Sequence, residues 1–242
     1  MARALIAFTG LAGSGKSTAA DHLVQAHQFT RLRFAGPIKA MCRALGLTDE
    51  QVDGGQKEVP CQLLTHANFS LLLERIPDAF QWMGVRPPMG TRRGPYGEPM
   101  LNMRSYQFAS AALVGIITQA ITEGESQGGA TPRLLMQLIG TEWAREQIAD
   151  DFWVRLMRYR VEQSPNTPFV IDDCRFPNEA EAIEELGGQI IRIDRPGAGI
   201  GEGHASEAFI KHLRFTGILV NDGSIHDLQR TLDAILHKAP AE

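Results

Sequence analysis

Residues Gly10, Leu11, Ala12, Gly13, Ser14, Gly15, Lys16 and Ser17 fit the spacing G-x-x-x-x-G-K-[ST], and Thr18 follows. That spacing describes a phosphate-binding loop. Glycine reaches backbone conformations closed to other residues, so successive N–H groups can turn inward toward phosphate oxygens. A helix that starts where the loop ends adds the positive end of its dipole. Lys16 stands where it would reach β- and γ-phosphates, and Ser17 where it would hold Mg²⁺. The expected triphosphate contacts are therefore Gly10, Ala12, Gly13, Ser14, Gly15, Lys16, Ser17 and Thr18.

A phosphate loop names a ligand class, not a reaction. The run Asp172-Asp173-Cys174-Arg175-Phe176-Pro177-Asn178-Glu179 follows three apolar residues, Phe169-Val170-Ile171. A strand ending in acid delivers a carboxylate beside the loop, and Asp173 is the residue expected to hold Mg²⁺ or orient an acceptor. Arg175 could clamp a phosphate with two parallel hydrogen bonds. Glu179 falls in the first turn of the next helix, which suits an active-site carboxylate and a helix-dipole carboxylate equally. Thr131-Pro132-Arg133 opens another helix before Gly140-Thr141-Glu142-Trp143. Phosphoryl transfer needs cations around the moving group, and Arg145, Arg155, Arg158 and Arg160 are further candidates. Trp143 and Trp153 could stack on a base or simply pack. His204-Ala205-Ser206-Glu207 lacks zinc-ligand spacing and reads as a loop with a helix cap at Ser206.

The elements that must position these groups alternate. Strands are expected at 4–8, 29–35, 169–171, 189–193 and 218–220, with helices at 17–27, 37–45, 105–122, 133–139, 142–148, 151–162, 177–186 and 206–213. A helical run at 63–82 should break at Pro77. Ser224 should cap a final helix whose Leu228, Leu232, Ile235 and Leu236 share one face. Strands alternating with helices imply an α/β fold with a parallel sheet covered on both faces, its sites at the carboxyl ends of the strands. Residues 84–104 are rich in Gly, Pro, Arg and Met and read as a long loop or flap.

The chain has 242 residues, 43% of them hydrophobic, and a formal net charge of −4. It carries no large basic surface, so duplex nucleic acid is not an expected partner. No apolar run approaches the roughly 18 residues of a membrane span. The first strand begins almost at Met1, and neither a signal peptide nor a membrane association is expected. Cys42, Cys61 and Cys174 are scattered and odd in number, which fits a reducing cytoplasm better than a disulfide framework or a zinc site.

Taken together, the blocks resemble the bacteriophage-type deoxynucleoside monophosphate kinases of the P-loop kinase superfamily. The resemblance rests on Phe34-Ala35-Gly36-Pro37-Ile38-Lys39, Lys57-Glu58, Pro132-Arg133-Leu134-Leu135-Met136-Gln137 and Gly140-Thr141-Glu142-Trp143. It continues through Asp151-Phe152-Trp153-Val154, Asp173-Cys174-Arg175-Phe176-Pro177-Asn178-Glu179, His204-Ala205-Ser206-Glu207 and Asn221-Asp222-Gly223. It implies a three-layer P-loop kinase fold with a five-stranded parallel sheet. It implies transfer of the γ-phosphoryl of ATP, with Mg²⁺, to a deoxynucleoside monophosphate in the cytoplasm of a bacterial host. The residues it assigns to catalysis are Lys16, Arg133, Asp173, Arg175 and Glu179, and to the acceptor Lys39, Arg133, Trp153, Asp173, Arg175 and Glu179. Gly36 stands where such kinases commonly carry an acid. A single domain over 1–242 is expected, with an inserted lobe at 61–130 as a candidate lid, dimer surface or acceptor wall. A homodimer is among the expected assemblies. The alternative on the same fold is a kinase of a coenzyme precursor or metabolite hydroxyl, with Asp173 as base.

Overall fold

The computed structural model describes residues 4–82, 103–199 and 213–238. The expected flap at 84–104, the later part of the glycine-rich loop at 196–203 and the helix expected at 206–213 lie outside these residues, apart from a few at their ends. The chain forms two compact units, Met1–Phe34 with Val154–Glu242 and, separately, Ala35–Trp153. The lobe expected at 61–130 falls within the second, which extends beyond it on both sides.

The first unit is built on five strands: β1 (Leu5–Thr9), β2 (Thr30–Leu32), β3 (Phe169–Ile171), β4 (Gln189–Asp194) and β5 (Gly217–Val220). Their order is β2-β3-β1-β4-β5, and every pairing is parallel. Ile6 lies in register with Val170 on one side and Gln189 on the other. Parallel neighbours need crossovers, and helices supply them. All five residues of β1 are buried, because a central parallel strand is covered on both faces. Ile6 and Phe8 point to one face, into a core with Ala19, Ala20 and Leu23 of α1 (Lys16–His27). The small Ala19 and Ala20 let that helix settle close to the sheet. Leu5 points the other way, and a Cβ on Gly188 would stand 2.8 Å from its Cγ and 2.7 Å from Ile183 Cγ2. Ile183 belongs to the helix Pro177–Glu185, so the sheet is sandwiched between helices.

The second unit is helical. It contains α2 (Gly36–Ala44), α3 (Asp49–Val52), α4 (Phe69–Glu74), α5 (Ile76–Trp82), α6 (Met103–Glu125) and α7 (Pro132–Leu138). Buried Ala109, Leu113, Ile116, Ile117, Ala120 and Ile121 recur on one face of α6 at helical spacing. The expected run at 63–82 is divided: a 3₁₀ turn at His66–Asn68 and α4 stop at Arg75, and α5 restarts with Pro77 as its second residue. Proline has no N–H to bond back and disfavours helix in the residue before it. A second difference is larger. The expected helix at 142–148 is part of a continuous π-helix, Ile139–Ile148, directly after α7. π-helices are rare and concentrate at functional segments.

The chain returns to the first unit along α8 (Phe152–Glu162), then β3, α9 (Pro177–Glu185), β4, β5 and α10 (Ile225–Lys238). On α10, Leu228 and Leu232 are buried in the α1 core, with Ile235 and Leu236 packed against it. Ser224 caps α10 as expected. Its Oγ accepts from Asp227 N at 3.3 Å, and Asp227 Oδ2 accepts from Ser224 N and Oγ at 3.0 and 2.7 Å.

The Ser224 hydrogen bonds, with Arg230, pull the Asp227 carboxyl down to about 2. Its native pKa lies below the ordinary value of roughly 3.9, so its stabilising effect is complete above that value and is lost as the pH falls toward 2. Asp227→Asn should therefore lower Tm at pH 7. The gap to wild type, followed by circular dichroism, should close between about pH 4 and pH 2.

Candidate active site

The phosphate loop connects β1 to α1 at the carboxyl edge of the sheet. The chain leaves central β1 between β3 and β4, where the strand order reverses, and open α/β sheets place ligands at such points. Three glycines take left-handed conformations: Gly10 at φ 140°, Gly13 at φ 75° and Gly15 at φ 104°. A Cβ on Gly10 would collide with the Ile193 carbonyl, and one on Gly15 would lie 2.5 Å from Asn221 Nδ2. Asn221, buried just after β5, donates from that Nδ2 to Ser14 O at 2.8 Å, and its own N–H donates to Asp194 O at 2.7 Å. The loop is therefore clamped between the ends of β4 and β5. Lys16 Nζ donates to Gly10 O at 2.8 Å and Leu11 O at 2.7 Å, which holds the ammonium over the loop. Gly15 caps α1 without a side chain, leaving the first helical N–H groups to the loop. The buried hydroxyls of Thr9 and Ser14 find no partner among the described residues. Left-handed glycines, an ammonium and open donors fit a polyphosphate.

The acidic end of β3 distributes its two carboxylates differently from expectation. Asp172 takes a hydrogen bond from Ser17. It is buried and takes a two-point salt bridge from Arg33, Nε to Oδ1 at 2.8 Å and Nη2 to Oδ2 at 2.9 Å. Arg31 Nε stands 3.8 Å from Oδ2. Burial pushes the Asp172 carboxyl up, but the Arg33 bonds and charge, the Arg31 charge and a Ser17 hydrogen bond outweigh it and hold the group below the usual carboxylate range. Asp173 Oδ1 accepts from Phe34 N at 2.9 Å. A hydroxyl beside an ionised carboxylate, both oxygen donors, fits a hard divalent cation such as Mg²⁺.

Arg175 is exposed at the start of α9. Glu179 is buried, and its Oε2 accepts from Arg175 N at 2.8 Å and Phe176 N at 3.1 Å. This carboxylate closes the α9 N-terminus and fixes the backbone that carries Arg175, so the geometry makes it a positioning group. Cys174 is buried, and its thiol is pushed well above its ordinary value, first by burial and then by Glu179, Asp173 and Glu184. It is a packing residue. Arg158 of α8 pairs with Glu185 of α9. A cavity of about 310 Å³ lies beside the loop, lined by Leu11, Ser14, Ile193, Asp194, Pro196 and Val220 among others. No sequence pattern marked it, because its walls come from three separate stretches.

In the second unit, Lys39 Nζ bonds Asp53 Oδ1 at 2.5 Å. Arg133 follows Pro132 at the start of α7, pairs with Glu58, and donates its backbone N–H to Lys57 O at 2.9 Å. The Lys57-Glu58 pair therefore serves as the seat of Arg133. Of the two readings open for the tryptophans, burial favours packing. Trp153 is 3% exposed and Trp143 1%. Trp153 Nε1 donates to Gly140 O at 2.9 Å, and Trp143 Nε1 to Ala109 O at 2.9 Å. With Phe80 and Phe152 they form a cluster with ring centroids 4.9–6.3 Å apart, edge to face except for the tilted Trp143–Trp153 pair. Their bulk and their two indole N–H groups hold the π-helical block rather than a base.

Residues 96–232 match the deoxynucleotide monophosphate kinase family model. The deoxynucleotide monophosphate kinase of Enterobacteria phage T4 is 26% identical over 239 residues, covering 93% of this chain and 95% of its own. A protein of Acanthamoeba polyphaga mimivirus, given the same name provisionally, is 28% identical over 237 residues, covering 92% and 91%. The deoxynucleoside-5'-monophosphate kinase of Escherichia phage T5 is 32% identical over 71 residues, 28% of each chain. The family match spans more than half of the sequence, and the phosphate loop stands at the edge of a parallel sheet. The chain therefore belongs to the deoxynucleotide monophosphate kinase family, ATP-using phosphotransferases that act on nucleotides.

Proposed function

We propose that the Gly10–Thr18 loop grips the triphosphate of ATP while an oxygen of the acceptor's 5′-phosphate attacks the γ-phosphorus, giving a deoxynucleoside diphosphate and ADP. The observation that carries this reading is the clamped loop with Ser17 and ionised Asp172 beside it. Mg²⁺, when bound, would neutralise charge developing on the β- and γ-oxygens. Ser17 and Asp172 would hold it, with Arg33 and Arg31 keeping the carboxylate ionised at neutral pH. Lys16 would leave the loop carbonyls for the phosphates. The attacking group is itself an anionic phosphate oxygen, so no side chain has to remove a proton. Positioning and cationic clamps can carry the rate. Arg175 is the proposed phosphate clamp of the first unit, and Arg133 and Lys39 the proposed acceptor cations of the second. The cavity beside the loop suits the ATP base, since its Leu11, Pro196 and Val220 walls are apolar.

The direct test is ADP formation from Mg·ATP with each deoxy- and ribonucleoside monophosphate. Turnover should require a deoxynucleoside monophosphate, and Lys16→Ala should abolish it with the circular dichroism spectrum unchanged. ADP release indifferent to every monophosphate would remove the assignment.

The two acids separate by metal dependence. Asp172→Asn should raise the Mg²⁺ concentration for half-maximal rate at least tenfold. Asp173→Asn should change that requirement less than threefold.

Arg175→Ala should cut kcat by about 10²-fold or more with Tm nearly unchanged. Glu179→Gln should lower both Tm and kcat, because the α9 terminus that presents Arg175 loses its charged acceptor. Loss of Tm by Arg175→Ala alone would return that arginine to a structural role.

A further inference from the structure

Away from the phosphate loop, three side chains on two helices of the first unit meet at one point. His22 Nε2 and His27 Nε2 of α1 each lie 2.7 Å from the same oxygen, Asp233 Oδ1 of α10. The two rings stand edge to face with centroids 5.5 Å apart. All three ligand-type atoms lie within 4.8 Å of one another. From the geometry we infer that His22, His27 and Asp233 form a binding site for a borderline divalent transition-metal ion of the Zn²⁺ type.

The convergence is built rather than incidental. Residues five apart on a helix point roughly 140° away from each other. His27 reaches back to the partner of His22 because it is the last residue of α1. Gln28 then turns the chain away at φ 58°, the one left-handed non-glycine among the described residues. Asp233 is carried on the helix whose Leu228 and Leu232 are buried against Ala19, Ala20 and Leu23 of α1. The backbones of the donors are thus fixed by the core packing of both helices, which is the preorganisation a metal site needs.

The donor set selects the ion. Two imidazole nitrogens with one carboxylate oxygen are ligands of Zn²⁺, Co²⁺ or Ni²⁺, whereas Mg²⁺ prefers oxygen alone. Bonds of about 2.0–2.2 Å in a tetrahedral site keep donors roughly 3.3 Å apart, so small side-chain rotations open the present cluster far enough. Each ring would then carry its proton on Nδ1 and offer the Nε2 lone pair. The two ring N–H groups already hold Asp233 below the usual carboxylate range, so the anionic ligand is in place. The Asp233 side chain is 38% exposed, against 12% and 26% for His22 and His27, which gives an ion a path in from solvent. A bound ion would join α1, the helix that presents the phosphate loop, to α10.

The test uses the tag-free full-length chain, stripped with chelator and free of nucleotide. Zn²⁺ is titrated against a chromophoric chelator, and Co²⁺ is followed by its visible absorption. The expected result is one Zn²⁺ per chain with an apparent Kd on the order of 1 µM or tighter, a Co²⁺ band that Zn²⁺ displaces, and a raised Tm. His22→Gln, His27→Gln and Asp233→Asn should each weaken Zn²⁺ binding at least tenfold while kinase turnover with Mg·ATP persists as the control for folding. Asp233→Asn, at the most exposed of the three, keeps the test open should His22→Gln unfold. Absence of stoichiometric Zn²⁺ binding, or binding that survives both His27→Gln and Asp233→Asn unchanged, would overturn the assignment.

Discussion

A loop whose glycines sit at positive φ keeps that shape only if its surroundings hold it there. In this protein the holding is done by backbone and amide groups: the Ile193 carbonyl crowds Gly10, and the Asn221 side chain crowds Gly15 and bonds the Ser14 carbonyl. Ile193 belongs to β4 and Asn221 follows β5, so the strand order of the sheet determines what touches the loop. The loop in turn sets where α1 begins and where Lys16 and Ser17 stand. Packing of Phe8, Leu23 and Leu228 below the sheet edge thus becomes, two residues further along, the geometry of a polyphosphate site.

Electrostatics supplies the second layer. A buried carboxylate left alone would take up a proton. Asp172 avoids this through two points of contact with Arg33, the nearby charge of Arg31 and the Ser17 hydroxyl. Glu179, also buried, accepts two backbone N–H groups at a helix start. One acid is kept ionised beside the phosphate loop, the other is used to shape the segment that carries Arg175.

Much of this was legible in the sequence, for identifiable reasons. The phosphate loop is local, so its spacing alone specifies it. Four of the strands were legible because apolar runs such as Phe169-Val170-Ile171 stop at polar or glycine-bearing turns, whereas β2 keeps only Thr30–Leu32 of the run expected at 29–35. What depended on distant residues was not legible. Nothing marks Arg33 as the partner of Asp172, 139 positions away, or Asp233 as the meeting point of two histidines in α1. What each of two adjacent aspartates meets depends on the pitch of the chain as it leaves β3, and spacing does not encode that. The π-helix was missed because Gly140 reads as a helix breaker. Its flexibility is overridden where the indoles of Trp143 and Trp153 each bond a distant carbonyl, the latter that of Gly140 itself. The Trp153 ring could be read as a nucleotide platform or as a packing residue for one reason, a large flat surface with one donor at its edge.

The placement of the tryptophans also fixes what light can report about this protein. All three, Trp82, Trp143 and Trp153, belong to the helical unit, and the unit that carries the phosphate loop has none. Intrinsic tryptophan emission therefore reads one half of the molecule, and the sheet unit is silent to it. Far-ultraviolet dichroism reads both. Whether the two halves come apart together is then written in the difference between two spectroscopic signals, with no label attached to the chain.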